Sequence, residues 1–170
     1  MGVSIHVSTC YFTHLPCLIK AMEKTTGDVL ELGMGVGSTP YLHYKCVLDG
    51  RKLVSYENFE GYYKFFAGRY GWNYGTHEIK LVEKYADAPI DKPWDVVLID
   101  QTPDSSRSEE AIRLAKLAKY VILHDSASKY EGSYHYKRVY PHFKYRSDWT
   151  GDTNQATVLS NFVNLKNFWK

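Results

Sequence analysis

The sequence predicts an α/β fold in which a mostly parallel sheet carries helices on both faces. Three observations predict it. Short apolar runs alternate with helix-length segments along the chain. Two of those runs, Trp94 to Asp100 (WDVVLID) and Tyr120 to His124 (YVILH), lack polar alternation, as central strands buried on both faces require. Glycines cluster directly after the first run, where such sheets turn into a helix.

The elements follow in order. Pro16 suits the first turn of an opening helix, Leu18, Ile19 and Met22 give it an apolar stripe, and Gly27 is placed to end it. Asp28 to Gly33 reads as strand one, Lys52 to Glu57 as strand two and Glu78 to Val82 as strand three. Trp94 to Asp100 is strand four, and Tyr120 to His124 strand five. Between them, Pro40 to Leu48 follows Ser38 and Thr39, which can cap a helix. Phe59 to Tyr70 forms a second crossover helix, with Tyr62, Tyr63, Phe65, Phe66 and Tyr70 expected in the core. Ser108 to Lys119 forms a third, with Ile112, Leu114, Ala115 and Ala118 on its apolar side. Tyr130 to Phe143 is expected to be helical up to Pro141. Tyr145 to Trp149 and Ala156 to Phe162 flank the turn-rich Thr150 to Asn154 as a closing hairpin.

A chain of 170 residues, 44% hydrophobic and 24% charged, can bury one sizeable core, so residues 1–170 are expected to form a single domain. Residues 1–27 form its N-terminal helical segment, in which Tyr11 and His14 are placed to cover a ligand. The 21 basic and 19 acidic side chains give a formal +2, which disfavours a nucleic-acid clamp. No apolar run approaches the roughly 20 residues that span a bilayer, and the N-terminus lacks signal-peptide character, so a cytoplasmic protein without membrane contact is expected. Cys10, Cys17 and Cys46 form no CxxC pair and are expected to be reduced thiols. His6, Cys10, His14 and Cys17 match no standard zinc spacing.

The segment Glu31 to Ser38 (ELGMGVGS) carries the chemistry. Gly33, Gly35 and Gly37 leave a strand and enter a helix, where a backbone free of side chains can turn sharply and lie against a ligand. Strand two then ends in Glu57, 24 residues beyond Gly33, where a carboxylate can accept bonds from ribose hydroxyls. Together they point to an adenosyl ligand. The G-x-G-x-G spacing leans away from dinucleotides, and the absence of a following Gly-Lys-Ser/Thr excludes a P-loop.

At these residues the chain resembles the class I S-adenosylmethionine-dependent methyltransferases over nearly its whole length. The resemblance rests on ELGMGVGS after strand one, Glu57 after strand two, WDVVLID as strand four, and the closing hairpin. It implies a Rossmann-like, mostly parallel seven-stranded sheet closed by an antiparallel C-terminal hairpin, with S-adenosylmethionine as cofactor. It further implies that Gly33 to Gly37 packs on the methionine part, that Glu31 helps organise its amino group, and that Glu57 holds the ribose. An acidic residue after strand three, Glu83 or Asp87, would meet the adenine. LIDQTPDSSR and VILHDS also resemble stretches of sugar and polysaccharide O-methyltransferases, with a departure at Gln101, where a glycine is frequent.

Ligands of such sheets gather outside the carboxyl ends of the strands, which brings Asp100, Arg107, His124 and Asp125 over the cofactor. A hydroxyl nucleophile needs a base or a metal. His124, whose ordinary pKa lies near neutrality, is one candidate base. Asp100 and Asp125 are the alternative, as ligands of a divalent metal, and Asp100 also stands near the cofactor amine. The interleaved tyrosines and cations of Lys129 to Arg146 suit either a packed helix with solvated charges or an RNA surface. The expected activity is methylation of a hydroxyl on a small-molecule or carbohydrate acceptor. Alternatives are cleavage of the cofactor, binding without transfer, and RNA methylation. With almost no insertion beyond the core fold, the substrate site is expected to be built from short loops, the N-terminal segment or a neighbouring subunit of a homodimer.

Overall fold

The computed structural model describes residues 9–71 and 75–170, so His6 lies outside the described residues. Seven strands form one sheet in the order β3-β2-β1-β4-β5-β7-β6. They are β1 Val29–Leu32, β2 Leu53–Glu57, β3 His77–Leu81, β4 Trp94–Ile99, β5 Ala118–His124, β6 Tyr145–Trp149 and β7 Ala156–Ser160. β1 to β5 pair in parallel, and β7 runs antiparallel to both β5 and β6. The expected mostly parallel sheet with a closing antiparallel hairpin is therefore present. Strand order reverses between β1 and β4, which opens a crevice at the carboxyl ends of both strands.

Alternation along each strand divides the core into two layers. Leu30, Leu32, Val54, Tyr56, Val97, Ile99, Val121 and Leu123 face one layer, and Val29, Leu53, Val96, Leu98, Tyr120 and Ile122 the other. The helices α1 Leu15–Glu23 and α2 Ser38–Asp49 cover the second layer, with Cys17, Leu18, Ala21, Met22, Leu42 and Cys46 buried against it. The remaining crossover helices are α3 Glu60–Tyr70 and α4 Ser106–Arg113. Ala111 of α4, with Tyr134, Tyr136 and Val139, covers the first layer.

Several sequence expectations are corrected. The opening helix stops at Glu23, not Gly27, because the buried Arg51 guanidinium draws the carbonyls of Met22, Thr25 and Gly27 onto itself. The helix of the third crossover stops at Arg113, not Lys119. Ala118 must already pair with Trp94 at the start of β5. The stretch 130–143 is no continuous helix but a series of single turns, broken where His135 adopts φ 54°. Of the aromatic residues of α3 expected in the core, Phe66 alone is buried. No described helix is long and apolar enough to cross a membrane. Cys10, Cys17 and Cys46 form no disulfide with one another.

Candidate cofactor and active site

The crevice between β1 and β4 opens into a cleft of about 500 Å³ lined by Gly33, Met34, Glu57, Asn58, Phe59, Tyr62, Asp100 and Thr102. That volume lies in the range of small-ligand sites. The turn is shaped by its glycines. Gly33 has φ 87°, and a Cβ there would lie 2.6 Å from the Asp100 and Gln101 backbone. Gly37 lets the N-terminal segment close in, because a Cβ would lie 2.8 Å from the Tyr11 carbonyl oxygen.

Glu57 braces the turn from the end of β2. Its Oε2 accepts from the Met34 amide at 2.8 Å, and its Oε1 accepts from the amides of Asn58 at 2.9 Å and Phe59 at 2.8 Å. Oε1 is saturated, which leaves Oε2 with the spare lone pair. Burial raises the Glu57 pKa, and the three amides work against that rise.

Glu31 does not line the cleft. It is fully buried, with Oε1 accepting from Ser38 Oγ at 2.6 Å and Thr39 Oγ1 at 2.9 Å, and Oε2 accepting from Ser55 Oγ at 2.6 Å. Thr39 Oγ1 in turn accepts from the Gly35 amide at 3.0 Å. Both carboxylate oxygens of Glu31 are thus turned onto protein hydroxyls, two of which begin α2. Burial pushes its pKa up to about 7 despite the three hydroxyls.

A charged cluster sits beyond the carboxyl ends of β4 and β5. Asp100 Oδ1 lies 2.7 Å from His124 Nδ1 and 2.9 Å from Arg107 Nη2. Burial alone would raise the Asp100 pKa, but the two cations outweigh it and hold the carboxyl well below the usual range. His124 Nε2 lies 3.1 Å from the Cys10 carbonyl oxygen and 2.9 Å from Thr13 Oγ1, which is itself 3.3 Å from that same carbonyl. Nδ1 faces an acceptor, and Nε2 faces the Cys10 carbonyl together with a hydroxyl that can give or take a proton. Burial pushes its pKa down, but Asp100 and Asp125 together outweigh burial and raise it. Both ring nitrogens are engaged by protein groups, which sets His124 against the role of base.

Asp125, at φ 54°, has a buried Oδ1 that makes no hydrogen bond but lies 3.4 Å from His124 Nε2, and its Oδ2 accepts from Tyr134 Oη at 3.3 Å. Burial raises its pKa. His14 packs edge-on to His124, with ring centroids 4.7 Å apart, and burial together with the His124 charge pushes its pKa down to about 3. His14, Asp100 and His124 place ligand atoms within 4.8 Å of one another. The Arg107 guanidinium already holds Asp100 Oδ1, so neither this trio nor the Asp100 and Asp125 pair fits a divalent cation.

The structure thus brings together Gly33, Glu57, Asp100, Arg107, His124 and Asp125. The last four, with Tyr11, Met34, Gly35, Val36, Tyr62 and Thr102, line a smaller recess of about 210 Å³. Glu83 and Asp87 are exposed and line neither space. Sequence reasoning missed Asn58, Phe59, Tyr62 and Thr102. Position directly after strands two and four was the available signal for Asn58, Phe59 and Thr102.

No protein-family model and no curated protein matches the chain. Solved structures do. The O-methyltransferase TomG from Streptomyces achromogenes, in complex with S-adenosylmethionine, superposes with a TM-score of 0.60 at 15% identity, covering 94% of this chain and 82% of its own. A candidate O-methyltransferase from Klebsiella pneumoniae reaches 0.62 at 13% identity, with 95% and 83% covered. A candidate RNA methyltransferase from Pyrococcus horikoshii reaches 0.59 at 11%, with 95% and 93% covered. The strand order, the glycine turn at its switch point and these superpositions agree: the chain has the Rossmann-like fold of the class I S-adenosylmethionine-dependent methyltransferases.

Proposed function

We propose that this protein binds S-adenosylmethionine in the cleft beside Gly33 and Glu57 and transfers its methyl group to a hydroxyl of a small molecule or sugar. The observation that carries the reading is the Glu57 carboxylate. It is buried and fixed by three backbone amides, and its spare lone pair on Oε2 belongs to a residue that lines the cleft. That arrangement suits one ribose hydroxyl more directly than two. Gly33 to Gly37 would follow the methionine part, and Asn58, Phe59 and Tyr62 would wall the nucleoside in place of Glu83 and Asp87. The fold neighbour TomG, crystallised with this cofactor, supports the choice of ligand.

The recess that joins the cleft through Met34, Tyr62, Asp100 and Thr102 is where the acceptor would sit, and its volume of about 210 Å³ favours a small group. In the transfer the acceptor oxygen attacks the methyl carbon in line, the carbon–sulfur bond breaks, and the sulfonium becomes a thioether. The hydroxyl proton goes to Asp125, whose pKa is raised by burial and whose Oδ1, 3.4 Å from His124 Nε2, makes no hydrogen bond, so that it is the base in this reading. Arg107 and His124 would hold Asp100 ionised and fix the floor of the recess. Positioning and proton removal then suffice without a metal.

Incubation with methyl-labelled cofactor and a panel of phenols, sugars and hydroxy acids tests this. Label on an acceptor hydroxyl is the expected result. Cofactor breakdown at the same rate with and without acceptor would overturn transfer and favour cleavage.

A further inference from the structure

The polar side chains that begin at Glu31 run away from the cleft, and no step of the transfer uses them. Ser55 Oγ lies 2.6 Å from Glu31 Oε2 and 2.9 Å from His77 Nε2, and His77 Nδ1 lies 3.0 Å from His43 Nδ1. The four residues come from β1, β2, β3 and α2, and all are buried. At the other end, Glu31 reaches the Gly35 amide through Thr39. One unbroken chain therefore joins the edge strand to the glycine turn.

Donor and acceptor bookkeeping gives this chain two polarities. With Glu31 ionised, Ser55 donates to it and accepts from His77 Nε2–H. His77 Nδ1 is then bare and accepts from His43 Nδ1–H. Every proton points toward Glu31. With Glu31 protonated on Oε2, the order reverses: Glu31 donates to Ser55, Ser55 to His77 Nε2, and His77 Nδ1–H to His43. The bonds from Ser38 and Thr39 to Glu31 then lose their charge assistance, which about halves their strength.

We propose that His77, with Ser55 and His43, is a positioning residue that acts through Glu31: the chain keeps Glu31 a carboxylate, and the carboxylate anchors Ser38 and Thr39 so that the glycine turn stays in its ligand-binding shape. The inference rests on the cofactor reading of that turn. Cofactor affinity then falls as pH drops and Glu31 takes up a proton. The other groups around Glu31 do not supply this response. His77, pushed down to about 3 by burial and by His43, stays neutral, and burial lowers His43 as well. The Cys46 thiol of α2 is pushed up to about 12 by burial, and the Tyr85 phenol is raised in the same way. β4 presents only Leu98 opposite Glu31. Glu57 of β2 is the remaining carboxylate, and its charge opposes ionisation of Glu31.

Two measurements test the proposal. Nitrogen-15 spectra of the histidine rings, without cofactor, should show His77 protonated on Nε2 at pH 8 and on Nδ1 at pH 5.5. Glu31→Gln, with its amide oxygen held by Ser38 and Thr39 and its NH2 then donating toward Ser55, should fix the Nδ1–H form at every pH. By calorimetry, S-adenosylmethionine should bind the wild type about tenfold more weakly at pH 6 than at pH 8, as linkage to one proton with a pKa near 7 requires. Glu31→Gln should bind weakly and without pH dependence, whereas Glu57→Gln, which removes the charge opposing ionisation of Glu31, should keep a one-proton dependence moved to lower pH. His77→Phe should bind more weakly at pH 8 and need higher pH to reach half its affinity, and His77→Gln should restore part of the loss. One His77 tautomer throughout in the wild type, or identical pH curves for wild type and His77→Phe, would overturn the proposal. No cofactor binding at any pH would instead overturn the cofactor reading, with the tautomers still deciding the chain.

Discussion

Asp100 Oδ1 accepts from His124 Nδ1 at 2.7 Å, and this bond joins the ends of two adjacent central strands above the crevice. The His124 side chain is 4% exposed and that of Asp100 19%. With Arg107 as a second donor, Asp100 is the only carboxylate that both cations share at hydrogen-bond distance among the described residues.

Asp100→Asn should therefore cost roughly 3 kcal/mol of stability, since removal of one charge from a buried pair leaves the others uncompensated. The pH dependence follows from the two shifts. The lowered Asp100 pKa gives stability that is complete above the unfolded value of about 4 and disappears on acidification. The raised His124 pKa gives stability that is complete below about 6.5 and is lost as pH rises through the folded value. Urea unfolding should show the gap between wild type and Asp100→Asn widest between about pH 4 and 6.5. A gap constant from pH 4 to 9 would refute the pairing.

Glu57→Ala should weaken S-adenosylmethionine binding by about 1.5 to 3 kcal/mol, the usual worth of a hydrogen bond to a charged group. It should also lower the melting temperature, because the amides of Met34, Asn58 and Phe59 lose their acceptor. Glu57→Gln keeps an acceptor oxygen and should lose less of both. Calorimetry on the two variants checks the order, and equal affinity in wild type and Glu57→Ala would remove Glu57 from the ribose site.

Much of this was legible in the sequence, and the reasons differ by residue. β4 and β5 announce themselves because strands buried on both faces must be apolar throughout. Glu57 follows from topology, since a strand end beside the glycine turn lies at the crevice. Tyr62 was illegible: an aromatic residue on a crossover helix has the same local pattern whether it faces the core or the cleft, and only the docking of α3 decides. The surroundings of Glu31 were illegible for a related reason. Its expected contact came from the family resemblance alone, and its partners Ser38, Thr39 and Ser55 are brought around it by the pairing of β1 with β2 and by the seating of α2.

Gly33 and Gly35 should separate folding from binding. Gly33→Ala puts a Cβ into the Asp100 and Gln101 backbone at φ 87°, and should cost more than about 2 kcal/mol. A Cβ added at Gly35 would meet only Ser38 Oγ within 4 Å, at 3.5 Å, and Gly35 lines the recess. Gly35→Ala should therefore unfold within about 1 kcal/mol of the wild type, at the ordinary scale of a Gly-to-Ala change, yet bind cofactor more weakly. Urea unfolding and calorimetry on both variants give the comparison. A Gly33→Ala protein as stable as the wild type would contradict the turn geometry.

Chelation tests the electrostatics of the cluster. A divalent ion at Asp100 would have to displace the Arg107 guanidinium 2.9 Å from Oδ1 and strip His124 of the Nδ1 proton that Asp100 holds. Both steps oppose the ion with existing positive charge, so methyl transfer should proceed unchanged in excess chelator. Arg107→Ala removes one of the two obstacles and shortens the side chain that fills the site, so it is the variant most able to acquire metal dependence. Activity of the wild type that disappears in chelator and returns with added magnesium or manganese would show that Arg107 moves aside in the working enzyme. In that event Asp100 and Asp125 would regain the role of ligands. Their carboxylates would lower the pKa of the acceptor hydroxyl through the ion, and Asp125→Asn would then abolish metal binding together with turnover. Without a metal, the same substitution should remove turnover and leave cofactor affinity within about twofold, because Asp125 touches only the acceptor side.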